Sequence, residues 1–182
     1  IEPNPQYDTL MKAVQQIKEN NLDFVLAVGG GSVVDGSKFI VAAAQFEGAD
    51  PWDILATRAK ITQALPLGCV LTLPATGSES NTSSVVTRGQ DKLSFSNPLV
   101  RPLFAVLDPA TTLTLSERQV GNGVVDAFVH VLEQYLTYPV DARVQDRFAE
   151  GLLQTLIEEG PKALSDPNDI DVRANIMWAA TQ

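Results

Sequence analysis

The chain has 182 residues, of which 45% are hydrophobic and 19% charged, so it can form one well-packed domain or one domain and part of a second. Its 22 acidic residues outnumber the 13 basic ones and give a formal charge of −9, which argues against binding to nucleic acid or to anionic membrane. No apolar run approaches the roughly 18 to 20 residues that span a bilayer, and the single cysteine, Cys69, cannot form a disulfide within the chain. These features predict a soluble cytoplasmic protein that binds neither nucleic acid nor membrane.

The first part of the chain alternates helix and strand patterns in the order typical of a parallel α/β sheet. Apolar residues recur at three- and four-residue steps in residues 7–20, which predicts a helix with one buried stripe. The continuous apolar run from Phe24 to Val28 then predicts a strand covered on both faces. Three glycines end that run, and helical spacing resumes from Ser32 to Ala44.

The middle of the chain predicts two further strands and a hairpin. Residues 68–73 form a second buried apolar run, which leads directly into the turn sequence PATGSESNTSS. A hairpin is predicted at residues 84–87 and 93–96, and a third strand at residues 103–108. Together with the first strand and its flanking helices, these elements predict an α/β fold with a parallel sheet.

From Thr111 onward every predicted element is a helix. The last of them, in DVRANIMWAATQ, shows no glycine or proline stop signal, and the chain begins without methionine. We therefore expect an interior piece of a longer protein, in which the helices bury apolar stripes against parts outside the chain. Exposed apolar surface on these helices, and self-association into a homo-oligomer, are the expected consequences.

The glycines at positions 29–31 stand between a predicted strand and a predicted helix. A phosphate can approach such a turn closely because no Cβ blocks it, and the amides of the helix start face the anion. Ser32 is predicted to be the N-cap, where its hydroxyl bonds a helix amide or the ligand. A tight turn without a ligand is the alternative, which the run of three glycines makes the less favoured one. The order GGGSVVDG matches neither the GxGxxG fingerprint nor a Walker A loop, because Ser37 and Lys38 come in reversed order inside the helix.

A second polar turn follows the next predicted strand. Thr72, Thr76, Ser78 and Ser80 surround Gly77 and offer hydroxyl groups at that strand end. Ligands in open α/β sheets bind beyond the carboxyl ends of the strands. Two such turns together suggest a dinucleotide site, whereas each one separately is an ordinary loop.

Three titratable residues occupy places where they can contribute to a site. Asp35 lies one turn into the predicted helix on its ligand side, although a carboxylate there also favours the helix dipole. Asp126 and His130 are four residues apart and project from one helix face, either as an intrahelical pair or as half of a metal site. Because the chain has no second histidine, a histidine-rich metal site is incomplete within it.

Three motifs together resemble the iron-containing (group III) alcohol dehydrogenase family, and most closely its branch of NADPH-dependent aldehyde reductases and butanol dehydrogenases. They are GGGSVVDG, LTLPATGSES and FAVLDPATTLTLSERQVGNGVVDAFVHVLEQY, in the order that the family has them. The resemblance implies a Rossmann-like dinucleotide-binding domain in residues 1–110, without its first strands. It implies the truncated start of an all-helical, metal-binding domain in residues 111–182.

The resemblance also implies the activity and the site residues. The intact enzyme is expected to transfer a hydride between NADP or NAD and an aldehyde or primary alcohol, with iron or zinc as the divalent metal. The cofactor residues implied are Gly30, Gly31 and Ser32 at the pyrophosphate, Asp35 near the nicotinamide, Thr72, Thr76 and Ser78 in the second turn, and Lys92 near the ribose. The metal ligands implied are Asp126 and His130, the family's other two ligands being histidines further along. No side chain in the chain is an obvious general acid, so the catalytic residues stay unassigned.

Two alternatives differ in the class of function. A dehydroquinate-synthase-like lyase also uses a nicotinamide cofactor and a metal in a similar fold, but the Asp126 to His130 spacing and the sequence LDPATTLTLSERQ follow the dehydrogenase pattern. A catalytically incomplete fragment that binds nucleotide without turnover is the second alternative. For these 182 residues as a separate molecule, that outcome is favoured over activity.

Overall fold

A computed structural model of the chain describes residues 1–137 and 139–182. The described residues divide into two compact units. The first, called the sheet unit here, comprises residues 1–71 and 78–106, and the second, the helical unit, comprises residues 72–77 and 107–182.

The sheet unit begins with helix α1, Tyr7–Asn20, whose bounds are those that the periodicity predicts. Its buried residues fall on one stripe and include Leu10, Val14 and Ile17. The helix ends because Asn21 adopts the left-handed conformation, with φ 52°, and donates its backbone N–H to the Ile17 carbonyl.

Three strands form the central sheet in the order β1, β2, β5: β1 is Val25–Gly30, β2 is Leu67–Leu73 and β5 is Phe104–Val106. Strands β2 and β5 pair in parallel, with Gly68 opposite Phe104. Helix α2, Gly31–Ala44, follows β1 without an intervening residue, and the short helix α3, Asp53–Ala56, precedes β2. The predicted parallel α/β architecture is therefore confirmed.

The predicted hairpin is present as strands β3, Ser83–Arg88, and β4, Asp91–Ser96, which pair antiparallel with Val86 opposite Leu93. Val86 is fully buried, and Leu93 packs against the same core cluster. The hairpin thus covers part of the core of the sheet unit.

The prediction that the first strand is covered on both faces is wrong. Ala27 is 2% exposed, but its neighbours Leu26 and Val28 are 51% and 57% exposed. Phe104 and Val106 of β5 are likewise 48% and 43% exposed. Because side chains alternate between the faces of a sheet, β1 has one buried and one open apolar face in this chain, whereas all three residues of β5 are exposed.

Three helices make up most of the helical unit: α4 is Glu117–Tyr135, α5 is Arg143–Ser165 and α6 is Ile170–Thr181. Helix α4 begins with a capping box, in which Ser116 and Gln119 satisfy each other's backbone amides. A separate apolar cluster joins the three helices, with Ala127 of α4, Leu156 of α5 and Ile176 of α6 among its buried members. Among the described residues, no strand follows β5, and no helix is long and apolar enough to cross a membrane.

Candidate cofactor and metal sites

The glycine turn joins β1 directly to α2. Gly30 is the N-cap, in extended geometry with φ −87° and ψ −171°, and Gly31 is the first helical residue. No side chain caps the helix, and its first turn contains no acidic residue. The amide groups of this turn therefore face no competing side-chain cap, which is the arrangement that suits an anionic group.

The prediction that Ser32 is the N-cap is wrong. The strand continues through Gly30 and the helix begins at Gly31, so Ser32 is the second helical residue. Because Gly31 already has helical geometry, the N-cap falls on Gly30, which has no side chain. Ser32 remains only partly buried, and its backbone amide belongs to the first turn of the helix.

The carboxylate of Asp35 is held by groups of the protein. Its Oδ1 accepts a hydrogen bond of 2.5 Å from the Ser78 hydroxyl, and its Oδ2 accepts one of 2.9 Å from the backbone amide of Val85. Burial raises the pKa of Asp35, and these two hydrogen bonds oppose that rise. The structure therefore brings together Asp35 and Ser78, two of the predicted cofactor residues.

The Ser78 hydroxyl is used inside the protein. It donates its single hydrogen to Asp35 and accepts a hydrogen bond of 3.0 Å from the ammonium of Lys38. Since a hydroxyl has only one hydrogen, a cofactor could not accept a bond from Ser78 while this one is in place.

Lys38 lies in α2, as the sequence predicts, but the sequence pattern indicates no role for it. Its side chain is fully buried, although lysine is almost never so without a partner. Burial lowers the pKa of Lys38 to about 8, against the opposing effect of the nearby carboxylates Asp35 and Glu79. A lysine three residues after Asp35 on the same helix was the available signal, and the identity of its partners was not visible in the sequence.

The remaining predicted cofactor residues are Lys92, Thr72 and Thr76. Lys92 lies on β4, is exposed, and donates to the side chain of Asn4 at 2.8 Å. Thr72 and Thr76 belong to the segment that is part of the helical unit, and both are partly exposed or exposed. Their assignment as cofactor residues stays a prediction.

The predicted metal ligands are neighbours on α4. The Nε2 atom of His130 lies 3.8 Å from the Oδ1 atom of Asp126, and both side chains are about half exposed at 49%. An imidazole and a carboxylate are suitable donors for a divalent iron or zinc ion. Among the described residues, however, no group of three or more histidine, cysteine, aspartate or glutamate side chains is placed to hold a metal. The pair thus fits part of a metal site, and its assignment stays a prediction.

The chain belongs to the iron-containing alcohol dehydrogenase family. Residues 1–109 match the sequence model of the iron-containing alcohol dehydrogenases, and residues 121–182 match that of the C-terminal part of the same family. The resemblance drawn from the motifs is confirmed.

Two relatives indicate the branch of the family to which the chain is similar. The NADPH-dependent aldehyde reductase YqhD of Escherichia coli (strain K12) is 64% identical over 186 residues, which cover all of this chain and 48% of that protein. The NADH-dependent butanol dehydrogenase B of Clostridium acetobutylicum is 42% identical over 183 residues, again all of this chain and 47% of that protein. The chain therefore spans about half the length of these curated relatives.

Solved structures of the family have the same fold over the matched region. The crystal structure of E. coli YqhD superposes with a TM-score of 0.97 at 63% identity, over all of this chain and 48% of that one. The NADH-dependent butanol dehydrogenase A of Thermotoga maritima superposes with a TM-score of 0.95 at 36% identity, over all of this chain and 46% of that one.

Proposed function

We propose that this chain supplies the dinucleotide-binding part and two of the metal ligands of an oxidoreductase, one that transfers a hydride between NADPH or NADH and an aldehyde or primary alcohol. The observation that carries the proposal is the start of α2, where the uncapped first turn follows a strand directly and is built on Gly30 and Gly31. The similarity to an NADPH-dependent aldehyde reductase and to NADH-dependent butanol dehydrogenases supports both the reaction and the cofactor class.

The residues of the chain have distinct tasks in this proposal. The amides of Gly31 and Ser32 bind the pyrophosphate, since the positive end of the helix dipole favours an anion there. Thr72 and Thr76 bind the cofactor through the second turn, and the exposed ammonium of Lys92 binds near its ribose. Asp35 and Ser78 shape the site through the hydrogen bonds that they make with each other.

Asp126 and His130 would hold a divalent iron or zinc ion together with further ligands. When bound, such an ion is a Lewis acid that stabilises negative charge on the substrate oxygen as the hydride arrives. The chain's own contribution is to keep a carboxylate and an imidazole on one helix face, one turn apart.

Nucleotide binding without turnover is the second candidate for the 182-residue chain by itself. The described residues place only two suitable ligands together, whereas a catalytic metal centre takes about three protein ligands and an open position. A cytoplasmic location, a homo-oligomeric state and the absence of nucleic-acid or membrane partners stay predictions from the sequence.

Titration of the purified chain with NADPH and NADH, followed by cofactor fluorescence, tests the proposal. We expect saturable binding of at least one of the two, with AMP as a weaker competitor. Loss of NADPH absorbance on addition of butanal, with and without added zinc or iron, separates a complete enzyme from a binding chain. Binding of neither dinucleotide at concentrations up to about 1 mM would contradict the proposal, since that limit corresponds to about 4 kcal/mol of binding free energy.

A further inference from the structure

The strongest feature that the proposed function does not use is the fully buried ammonium of Lys38. It donates to three acceptors: the Ser78 hydroxyl at 3.0 Å, the Asn81 side-chain oxygen at 2.8 Å and the Ser83 carbonyl at 2.7 Å. An ammonium has three donors, so all of them are used. All three acceptors lie between Ser78 and Ser83, a segment called the anchored loop here.

A second set of contacts from α2 reaches the same region. The Asp35 carboxylate accepts from Ser78 and from the Val85 amide, and the Asp35 backbone carbonyl accepts from the Ser84 hydroxyl at 2.7 Å. Helix α2 therefore holds the chain from Ser78 to Val85 through five hydrogen bonds to side chains of Asp35 and Lys38 and one to its backbone.

The spacing along α2 connects these contacts to the glycine turn. Gly31, Asp35 and Lys38 are separated by four and three residues, so they lie along one face of the helix. Lys38 is two turns from Gly31, or about 10 Å along the axis. One rigid helix thus carries the glycine turn at its start and holds the anchored loop further along.

Stabilisation of the fold by itself explains the buried charge of Lys38 poorly. A hydrophobic residue of similar volume fills such a place without the desolvation that a buried ammonium entails. What the ammonium adds is direction, because three short hydrogen bonds to different residues define where the loop runs. The loop begins at Ser78, which follows Gly77 and the predicted cofactor residue Thr76 in the chain.

We propose that Lys38 is a positioning residue for cofactor binding: its ammonium fixes the anchored loop, which begins with the predicted cofactor residue Ser78, on α2 and so holds this loop at a defined distance from the glycine turn. The inference rests on the proposed function, since it concerns the same dinucleotide. Lys38 does not touch the cofactor and acts through Ser78, Asn81 and Ser83.

The protonation of Lys38 gives a readout that a purely structural role would not move. The ionisable groups that face it are Asp35 of α2, Glu79 of the anchored loop, Cys69 of β2 and Arg101 beyond the hairpin. Burial raises the pKa of the Cys69 thiol to about 11, so that group stays neutral while Lys38, with a pKa of about 8, loses its proton. The neutral amine has one donor fewer, so we expect cofactor affinity to fall as the pH rises from 7 to 9.

The experiment measures the dissociation constant for NADPH at pH 7 and pH 9 for the unchanged chain and three variants. Lys38→Met removes the charge at similar volume and should weaken binding at pH 7 about tenfold, since a hydrogen-bonded charge is lost. Lys38→Arg keeps a charge at both pH values and should restore part of the affinity and bind equally at pH 7 and 9. Lys18→Met, at an exposed lysine of α1, is the matched control and should behave as the unchanged chain.

The outcomes separate this inference from the proposed function. If the unchanged chain binds NADPH and the folded Lys38→Met variant binds it equally well with the same pH dependence, the inference alone is overturned. If Lys38→Met does not fold, as judged by circular dichroism, Ser78→Ala and Asn81→Ala take its place. Each should weaken binding about threefold, and unchanged affinity in both overturns the inference. If the unchanged chain binds neither NADPH nor NADH, the proposed function fails and the inference fails with it.

Discussion

The charged residues on helices α2 and α4 have similar spacing, three residues in the first pair and four in the second, but different surroundings. Lys38 is buried and Asp35 is partly buried, and both are hydrogen-bonded, with three acceptors for the ammonium and two donors to the carboxylate. Asp126 and His130 face each other at 3.8 Å with half of each side chain exposed. The first arrangement is complete within the sheet unit, whereas the second leaves a carboxylate and an imidazole half exposed on one helix face.

The comparison shows that similar helix spacing does not define similar chemistry. Residues three or four apart share a face in both helices, but the number of further partners decides whether the charges are fixed or available. We therefore expect cofactor affinity to depend on the sheet unit, and metal affinity to depend on ligands additional to Asp126 and His130.

Gly31→Val should produce the largest effect, and it tests whether cofactor affinity depends on the sheet unit. A valine side chain at the first helical residue occupies space that the pyrophosphate needs, so NADPH affinity should fall on the order of 100-fold, or about 2.7 kcal/mol. Fluorescence titration measures the change. Gly151→Val is the control, because a Cβ at that exposed position of α5 meets no atom within 4 Å. Equal affinities of Gly31→Val and the unchanged chain would mean that the glycine turn binds no phosphate.

Ile157→Glu should reduce self-association through the helical unit. Ile157 is 62% exposed and lines an apolar groove of about 430 Å³ between α4 and α5, together with Val125, which is 63% exposed. A carboxylate there opposes burial against another apolar surface, so the dissociation constant of the oligomer should rise at least about tenfold. Sedimentation velocity over a concentration series measures it, with Gln154→Glu as the control of equal charge. A monomer at all concentrations before substitution would show that this groove drives no association.

Asp50→Asn should produce a smaller, pH-dependent loss of stability in the sheet unit. Asp50 accepts hydrogen bonds from the Tyr7 hydroxyl at 2.6 Å and from Arg88 at 2.8 Å, and these bonds lower its pKa to about 2. A carboxyl whose pKa is lowered on folding stabilises above its ordinary pKa of 3.8, and this contribution is lost as the pH falls towards 2. Because the side chain is 40% exposed, solvent screening leaves an expected loss of about 1 kcal/mol at pH 7.

Urea unfolding at pH 7 and at pH 2.5 measures this difference. The gap between Asp50→Asn and the unchanged chain should shrink at the lower pH, and the exposed Asp23→Asn should show no comparable change. A gap that is the same at both pH values would exclude ionised Asp50 as its source.

His130→Ala should have the smallest effect on stability and no effect on cofactor affinity. The exposed pair with Asp126 contributes no more than about 0.5 kcal/mol, so thermal unfolding should barely change, as for the exposed control Glu133→Ala. Weak zinc binding, followed by calorimetry, should fall in His130→Ala, because one of two ligands is lost. Elemental analysis of the dialysed chain should find less than one metal per chain, and a full equivalent would contradict the partial-site assignment.

Local pattern predicted much of the fold because helices and strands follow from spacing between near neighbours. The bounds of α1 at Tyr7–Asn20 and the existence of the hairpin around Val86 were predictable in this way. The cap position was not, since glycine is compatible with both strand and helix and the sequence does not show at which of three glycines the change occurs. The exposure of Leu26 and Val28 was also missed, because an apolar run is the same whether or not another layer covers it.

The sequence by itself determined the family, the glycine turn between strand and helix, and the placement of Asp126 and His130 on one helix face, because each depends on residues close together in the chain. Only the tertiary structure decided what Asp35, Lys38 and Ser78 do. Their hydrogen bonds join residues 40 to 50 positions apart, and whether a charge is buried and which groups share it depends on how distant segments meet in space, which local spacing does not encode.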